Sequence, residues 1–194
     1  MLKTYENIVR KGPLYPLNSL MLHGIIFARY AKRLDHMSNT AFADQVWSFF
    51  GTGPQLQDLY ITPHLLNHYH WDVLARAAKW ANDDADILSD THWIGGNPAK
   101  GLVYGWASWH DNTGILVLRN PTAQRAQITL DIGKAFQLPA GAKARYRFHS
   151  QRQHAPASDA IALTAGKPHS FKLKGSEVLV LESSQPAGKQ ASTK

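Results

Sequence analysis

Asp90-Thr-His-Trp-Ile-Gly-Gly-Asn-Pro98, then Gly101-Leu-Val-Tyr-Gly-Trp-Ala-Ser-Trp-His110 and Gly114-Ile-Leu-Val-Leu-Arg-Asn-Pro121, decide how this chain is read. Before this run the sequence has the spacing of helices; after it come short strands divided by turns. Three of the six Trp residues, Trp93, Trp106 and Trp109, lie inside it. It reads as the seam between two architectures.

Upstream, Ser38 to Gly51 carries the strongest helical signal. Ser38 or Asn39 can cap its first turn, and Phe42, Val46, Phe49 and Phe50 recur at three- and four-residue spacing along one face. Gly51 is expected to end it in the left-handed conformation. Thr62-Pro63 reads as another helix start, with Thr as cap and Pro at the first position. A helical stretch from about Trp71 to Asp84 presents Leu74, Ala77, Ala78 and Ala81 for packing. Asp83, Asp84 and Asp86 are at the wrong end for the helix dipole, so a loop is expected to begin there. Residues 1–12 read as a short helix or an extended lead-in, broken by Gly12-Pro13 and again by Tyr15-Pro16. Pro16 to Ala28 is too apolar for a free loop and reads as a buried strand or a strand-to-helix passage, whereas Gln55-Leu-Gln-Asp-Leu59 reads as a turn or a strand. Buried polar groups need partners, so Asn18, Ser19 and His23 are either satisfied core groups or part of a substrate-facing loop.

Downstream, seven strands are expected at 102–109, 114–119, 126–132, 144–148, 161–164, 170–174 and 177–182. Asp111-Asn112, Asn120-Pro121, Pro139-Ala-Gly141 and Lys174-Gly-Ser176 supply the turns. Phe171/Leu173 and Val178/Val180 alternate with polar residues, as a half-solvated antiparallel sheet requires. Seven short strands at this spacing point to a β-sandwich. Tyr104 and Trp106 fall on one side of their strand and Trp109 on the other, so one set fills the sandwich and the other packs against the helical part.

Composition narrows the function classes. The chain has 194 residues and no Cys, which excludes a disulfide framework, a thiolate nucleophile and a thiolate metal site. No apolar run is long enough to span a bilayer, so no membrane partner is expected. Met1-Leu-Lys-Thr-Tyr-Glu6 lacks the basic and apolar regions of a signal peptide. The net charge of +7 is unevenly spread, at +4 over residues 1–37, −5 over 38–92 and +8 over 93–194. The basic residues are dispersed rather than blocked, so they read as a solvated surface and no specific nucleic-acid partner is expected.

Chemistry-bearing residues are sparse. Asp58 and Asp90 are the carboxylates beside aromatics in irregular segments, but their spacing does not show that they face each other as a glycosidase pair must; both also suit turn capping. His64 and His68 are a candidate metal pair on one helical face without a third ligand. His23 and His92 sit among apolar and aromatic residues, either as core groups or as partners for a sugar hydroxyl. Trp93, Tyr104, Trp106 and Trp109 suit either an interdomain contact or stacking on a sugar face. No nucleophile elbow, phosphate loop, dinucleotide fingerprint or zinc signature is present.

The order of these pieces resembles the C-terminal part of α-galactosidase-like glycoside hydrolases. Tyr15-Pro16 and Met21-Leu-His23 look like the Tyr-Pro and Met-x-x-His-like stretch towards the end of such a barrel, and Phe50-Gly-Thr-Gly53, with Leu56 and Leu59, looks like its Phe-Gly-x-Gly helix end. Pro63 to Ala81 is similar to the last barrel helices, and Trp106 to Pro121, with Leu118-Arg-Asn-Pro121, to the first sandwich strands. The resemblance runs over most of residues 13–182 through short motifs. It departs where it matters for chemistry: neither a nucleophilic Asp segment nor an acid/base segment of the Trp-x-x-Asp type is found.

The resemblance therefore implies an α+β fold by segment, a mostly helical partial (β/α)8-barrel tail followed by an antiparallel β-sandwich. Its expected bounds are 1–92 for the barrel remnant, 93–184 for the sandwich and 185–194 for a disordered tail. It implies part of a retaining glycosidase, inactive alone because the carboxylate pair lies upstream, with no cofactor and no metal. Its partners would be carbohydrate and the missing N-terminal part of the same enzyme, and full-length proteins of this kind are expected to be exported. Tyr15, Asn18, His23, Asp90, His92 and Trp93 are the candidate sugar-facing residues. The alternative is a non-catalytic carbohydrate-binding sandwich.

Overall fold

The computed structural model describes residues 2–12, 15–31, 36–152 and 160–183. The expected tail at 185–194 lies outside the described residues. The chain opens with helix α1 (Leu2–Asn7), turns through the 3-10 segment Leu17–Ser19 and enters strand β1 (Leu22–Phe27). Helix α2 (Asn39–Phe50), strand β2 (Gln57–Ile61) and helices α3 (His68–Asp83) and α4 (Ala85–Leu88) come next. β1 and β2 pair in parallel, from Leu22 opposite Gln57 to Phe27 opposite Ile61. Parallel neighbours need a crossover, and α2 supplies it. The result is two consecutive strand–helix units.

Ser38 caps α2, its side chain accepting from the Ala41 N–H at 3.2 Å, and Phe42, Val46, Phe49 and Phe50 are all buried. Three expectations about helix ends are corrected. Gly51 is right-handed, at φ −72°; its small size is needed because a Cβ there would lie 2.6 Å from a Val117 methyl. Thr62-Pro63 opens only a 3-10 turn, Pro63–Leu65, without a side-chain cap. The Thr62 hydroxyl is engaged elsewhere, accepting from the Arg29 N–H at 3.1 Å. Instead α3 starts at His68 with a capping box: Asn67 Oδ1 accepts from the His70 N–H and His70 Nδ1 accepts from the Asn67 N–H. Finally, the acidic end of α3 runs straight into α4 rather than a loop. Leu88 on α4 is 4% exposed, and burying a Leu stabilises by ~1.5–3 kcal/mol, more than the ~0.3–1 kcal/mol that misplaced charge costs at a helix end.

The rest is antiparallel. Strands β3 (Thr91–Gly95), β4 (Tyr104–His110), β5 (Thr113–Arg119) and β6 (Ala126–Leu130) precede helix α5 (Ile132–Ala135). Strands β7 (Arg145–Ser150), β8 (Ile161–Thr164), β9 (His169–Leu173) and β10 (Val178–Ser183) complete it. One sheet has the order β3-β4-β5-β10-β7-β8 and a second pairs β6 with β9. Each of the seven expected strands is present within a few residues of its expected bounds, and β3 is an eighth. β3 pairs with β4 from Thr91–Ser108 to Gly95–Tyr104, so Thr91 and His92 belong to the sheet and the strand crosses the expected 92/93 boundary.

The six-stranded sheet is the middle of three layers. Tyr104, Trp106, Ile115, Val117, Val178 and Val180 join one core with α2, α3 and α4. Ala107, Leu116, Leu118 and Leu181 join a second core with α5, Phe171 and Leu173. Tyr104 and Trp106 thus face the helices, while Trp109 packs on the side of the smaller sheet and donates from Nε1 to Tyr146 Oη at 3.0 Å.

Polar ties reinforce the helix-to-sheet contact. Asp44 on α2 accepts from Arg152 at 2.5 Å and from the Val178 N–H at 3.3 Å. Arg152 also donates to the Val178 carbonyl at 3.2 Å. Burial pushes the Asp44 carboxyl above its usual range, with Arg152 pulling it back. Arg152→Ala leaves a buried carboxylate without its partner and is expected to cost about 3 kcal/mol, read by urea unfolding; a loss below about 1 kcal/mol contradicts the tie. Gly24 tests the other packing surface, because a Cβ there would lie 1.8 Å from the Phe49 ring on α2. Gly24→Ala is expected to destabilise by about 1–3 kcal/mol in the same assay, and a neutral result contradicts the close seating of β1 on α2.

Candidate functional site

The parallel pair carries one polar cluster. His23 is directly opposite Asp58, with His23 Nδ1 3.1 Å from Asp58 Oδ2 and 3.2 Å from the Tyr60 hydroxyl. The Tyr60 hydroxyl is pushed above its usual range, first by its hydrogen bond to Asp58 and then by that carboxylate's charge. The apolar side chains of these strands turn to the helices instead, Phe27 against Phe42 and His70. The cluster is solvent-facing and can present an imidazole, a carboxylate and a phenol to a polar ligand.

Its position along the strands is informative. His23 and Asp58 are each the second residue of their strand. In strand–helix barrels, reacting groups gather at the opposite, C-terminal ends of the strands. Here those ends carry Arg29 and His64, with Arg29 Nη2 donating to His64 Nε2 at 2.9 Å. Tyr30 beside them is 90% exposed. Sequence reasoning does not single out Arg29 or Tyr30 and makes His64 half of a metal pair with His68. The available signal is position: each comes within three residues of a strand end. Among the described residues no group of three or more His, Asp or Glu could hold a metal ion.

The second cluster lies at the seam. Asp90, His92 and Trp93 come together around a cavity of about 400 Å³ that Leu17, Thr91 and Gln137 also line. His92 Nε2 is 3.3 Å from Asp90 Oδ1, and its Nδ1 is 3.3 Å from the Gln137 side-chain amide. With the amide N–H donating to Nδ1, the ring proton is on Nε2 and points at Asp90. Trp93 is committed to packing. Its ring stacks on Tyr104 at 5.0 Å and 5°, meets Trp106 edge-on at 5.2 Å and has Tyr5 at 5.3 Å. Its Nε1 is buried without a partner among the described residues.

The remaining candidates stand apart. Tyr15 is 70% exposed. Asn18 is buried, and its carbonyl accepts from the Gln55 N–H at 2.8 Å, which ties its turn to the approach of β2. The six candidates therefore divide: Asp90, His92 and Trp93 share a cavity, whereas His23 belongs to the parallel pair. Asp58 and Asp90 sit in different clusters, each bound to its own His.

No protein-family model matches the chain, and no curated protein matches it in sequence. Solved structures do match it. An α-galactosidase from Saccharomyces cerevisiae with raffinose aligns at a TM-score of 0.53 and 6% identity over 77% of this chain and 44% of that one. A β-L-arabinopyranosidase of family GH27 from Geobacillus stearothermophilus aligns at 0.53 and 9% identity, over 88% and 37%. An α-amylase from Geobacillus thermoleovorans with acarbose aligns at 0.53 and 10% identity, over 86% and 38%. The chain spans less than half of each. At such identities the likeness is one of fold: an α+β chain resembling the C-terminal sandwich region of glycoside hydrolases.

Proposed function

We propose that this chain is the C-terminal part of an α-galactosidase-like glycoside hydrolase, supplying the last two strand–helix units of a (β/α)8 barrel and the sandwich behind them. The observation that carries the reading is the parallel β1–β2 pair, backed by α2 and α3 and docked on an antiparallel sandwich. A closed barrel takes roughly 250 residues, and only about a third of that length precedes the sheet here. Strands supplied from upstream would then pair with β1 and β2 and cover the His23–Asp58–Tyr60 face.

By itself the chain has no turnover in this reading. A retaining glycosidase needs two carboxyl groups about 5–5.5 Å apart across the scissile bond. Asp58 and Asp90 are in separate clusters, each paired with its own His. Within the complete barrel, Arg29, Tyr30 and His64 would stand on the sugar-facing rim, because they occupy the C-terminal ends of β1 and β2. Carbohydrate and the upstream barrel segment are the partners this assigns. The alternative, a sandwich that binds sugar through its Trp residues, is supported less well: Trp106 is 2% exposed, and Trp93 and Trp109 are held by neighbouring aromatics.

The test is turnover of aryl α-galactosides by the purified chain, alone and co-expressed with a segment encoding the preceding strand–helix units. No hydrolysis alone and recovery on complementation are expected. Robust hydrolysis by the 194-residue chain overturns the reading.

A further inference from the structure

A guanidinium lies where the first strand–helix unit meets the sandwich. Arg119 is the last residue of β5. Ile115 and Val117 of that strand face the helices, and alternation puts Arg119 on the same side. There it lines a cavity of about 390 Å³ together with His23 and Ile25 of β1, Gln45 and Ser48 of α2, and Tyr104 of β4. That volume falls within the roughly 300–1,000 Å³ of small-molecule sites. We propose that this cavity binds a small oxyanion, a carboxylate or phosphate group, with Arg119 as its charged anchor.

Arg119 is underbonded. A guanidinium carries five N–H donors in a planar fork. Among the described residues no carboxylate pairs with Arg119, and its side chain makes one hydrogen bond, from Nη1 to Ser48 Oγ at 3.4 Å. The nearby carboxylates are engaged elsewhere. Asp44 feels the charges of both Arg119 and Glu177, but it accepts from Arg152 at 2.5 Å and from the Val178 N–H at 3.3 Å. Glu177 Oε2 accepts from the Lys174 N–H at 2.5 Å. Asp44 and Arg152 offset each other, so the charge of half-buried Arg119 stays uncompensated. Tyr104, directly opposite on β4, registers it: burial pushes the phenol up and Arg119 draws it back. A free guanidinium fork can hold a carboxylate or phosphate through two parallel bonds.

The β1 wall of the same cavity is strained. The register shifts between Gly24 and Ile26, so Ile25 is the extra residue of a β-bulge. It is 3% exposed, with φ at 45°, a left-handed conformation that is an outlier for a β-branched side chain. A regular strand would put His23, Ile25 and Phe27 on one face. The bulge instead separates exposed His23 from buried Ile25 and Phe27. Bulges re-aim side chains in this way beside functional sites.

The test uses the full chain with inorganic phosphate and acetate as probes, at an ionic strength held constant with chloride. The amide resonances of Gly24 and Ser48, at the cavity wall, are expected to shift saturably with at least one probe. Arg119→Gln is expected to weaken that binding at least about tenfold, as loss of a charged hydrogen bond does. Arg119→Lys keeps the charge without the fork and is expected to weaken it several-fold; it also serves if Arg119→Gln folds poorly. Lys172→Gln, on β9 of the other sheet, is expected to leave it unchanged. Tighter binding of phosphate assigns a phosphorylated ligand, and tighter binding of acetate a carboxylate one. Shifts that stay linear in probe concentration, an affinity unmoved in both Arg119 variants, or an equal loss in Lys172→Gln overturn the proposal.

Discussion

Strands β4 and β5 are buried on both faces, and this constraint shapes most of the chain. Helices cover one face and the β6–β9 sheet with α5 covers the other. A strand with two buried faces does not alternate, which is why Ile115 to Leu118 is an unbroken apolar run. Close approach also restricts residue size: a Cβ on Gly105 would lie 1.8 Å from the Val117 carbonyl oxygen. At the end of β5, Asn120 is fully buried. Its side-chain amide donates to the Gln124 and Lys174 carbonyls at 2.7 and 2.8 Å, while its Oδ1 accepts from the Thr122 N–H at 3.0 Å. Asn120 therefore forms a corner locking the two sheets, and its role is structural.

The same constraint explains which elements are legible in the sequence. The sandwich strands are legible because turn residues punctuate them and their apolar positions recur. The α2 helix is legible because its cap and its apolar face are local. β3 is harder to see. It is five residues long, and its mixture of Thr, His and Trp serves a seam where one strand meets helices, a turn and an edge at once. Gly51 and Thr62 mislead for a related reason. Each has a residue type suited to a helix end, but each answers to a distant partner, Val117 in one case and Arg29 in the other.

Candidate site residues are less legible than the fold because polar side chains acquire meaning from direction and depth. His23 stands out by its apolar neighbourhood, yet it faces away from that neighbourhood and pairs with Asp58 near the start of its strand. Arg29 carries no local signal and His64 suggests a different role, yet they meet just past the C-terminal ends of β1 and β2. Trp93 has the chemistry of a sugar platform, but three aromatic neighbours account for it as packing. The uneven charge, −5 over residues 38–92 and +8 over 93–194, fits two layers held by ties such as Asp44 to Arg152.

The central claim is that the strand–helix units and the sandwich are one cooperative body, joined through the face of β4, β5 and β10. Native-state hydrogen exchange tests it most directly. If the claim holds, the slowest amides of α2 and α3 open with the same free energy as those of β4, β5 and β10, within about 1 kcal/mol. Helical amides that exchange through a much cheaper opening, while the sandwich stays protected, would contradict it.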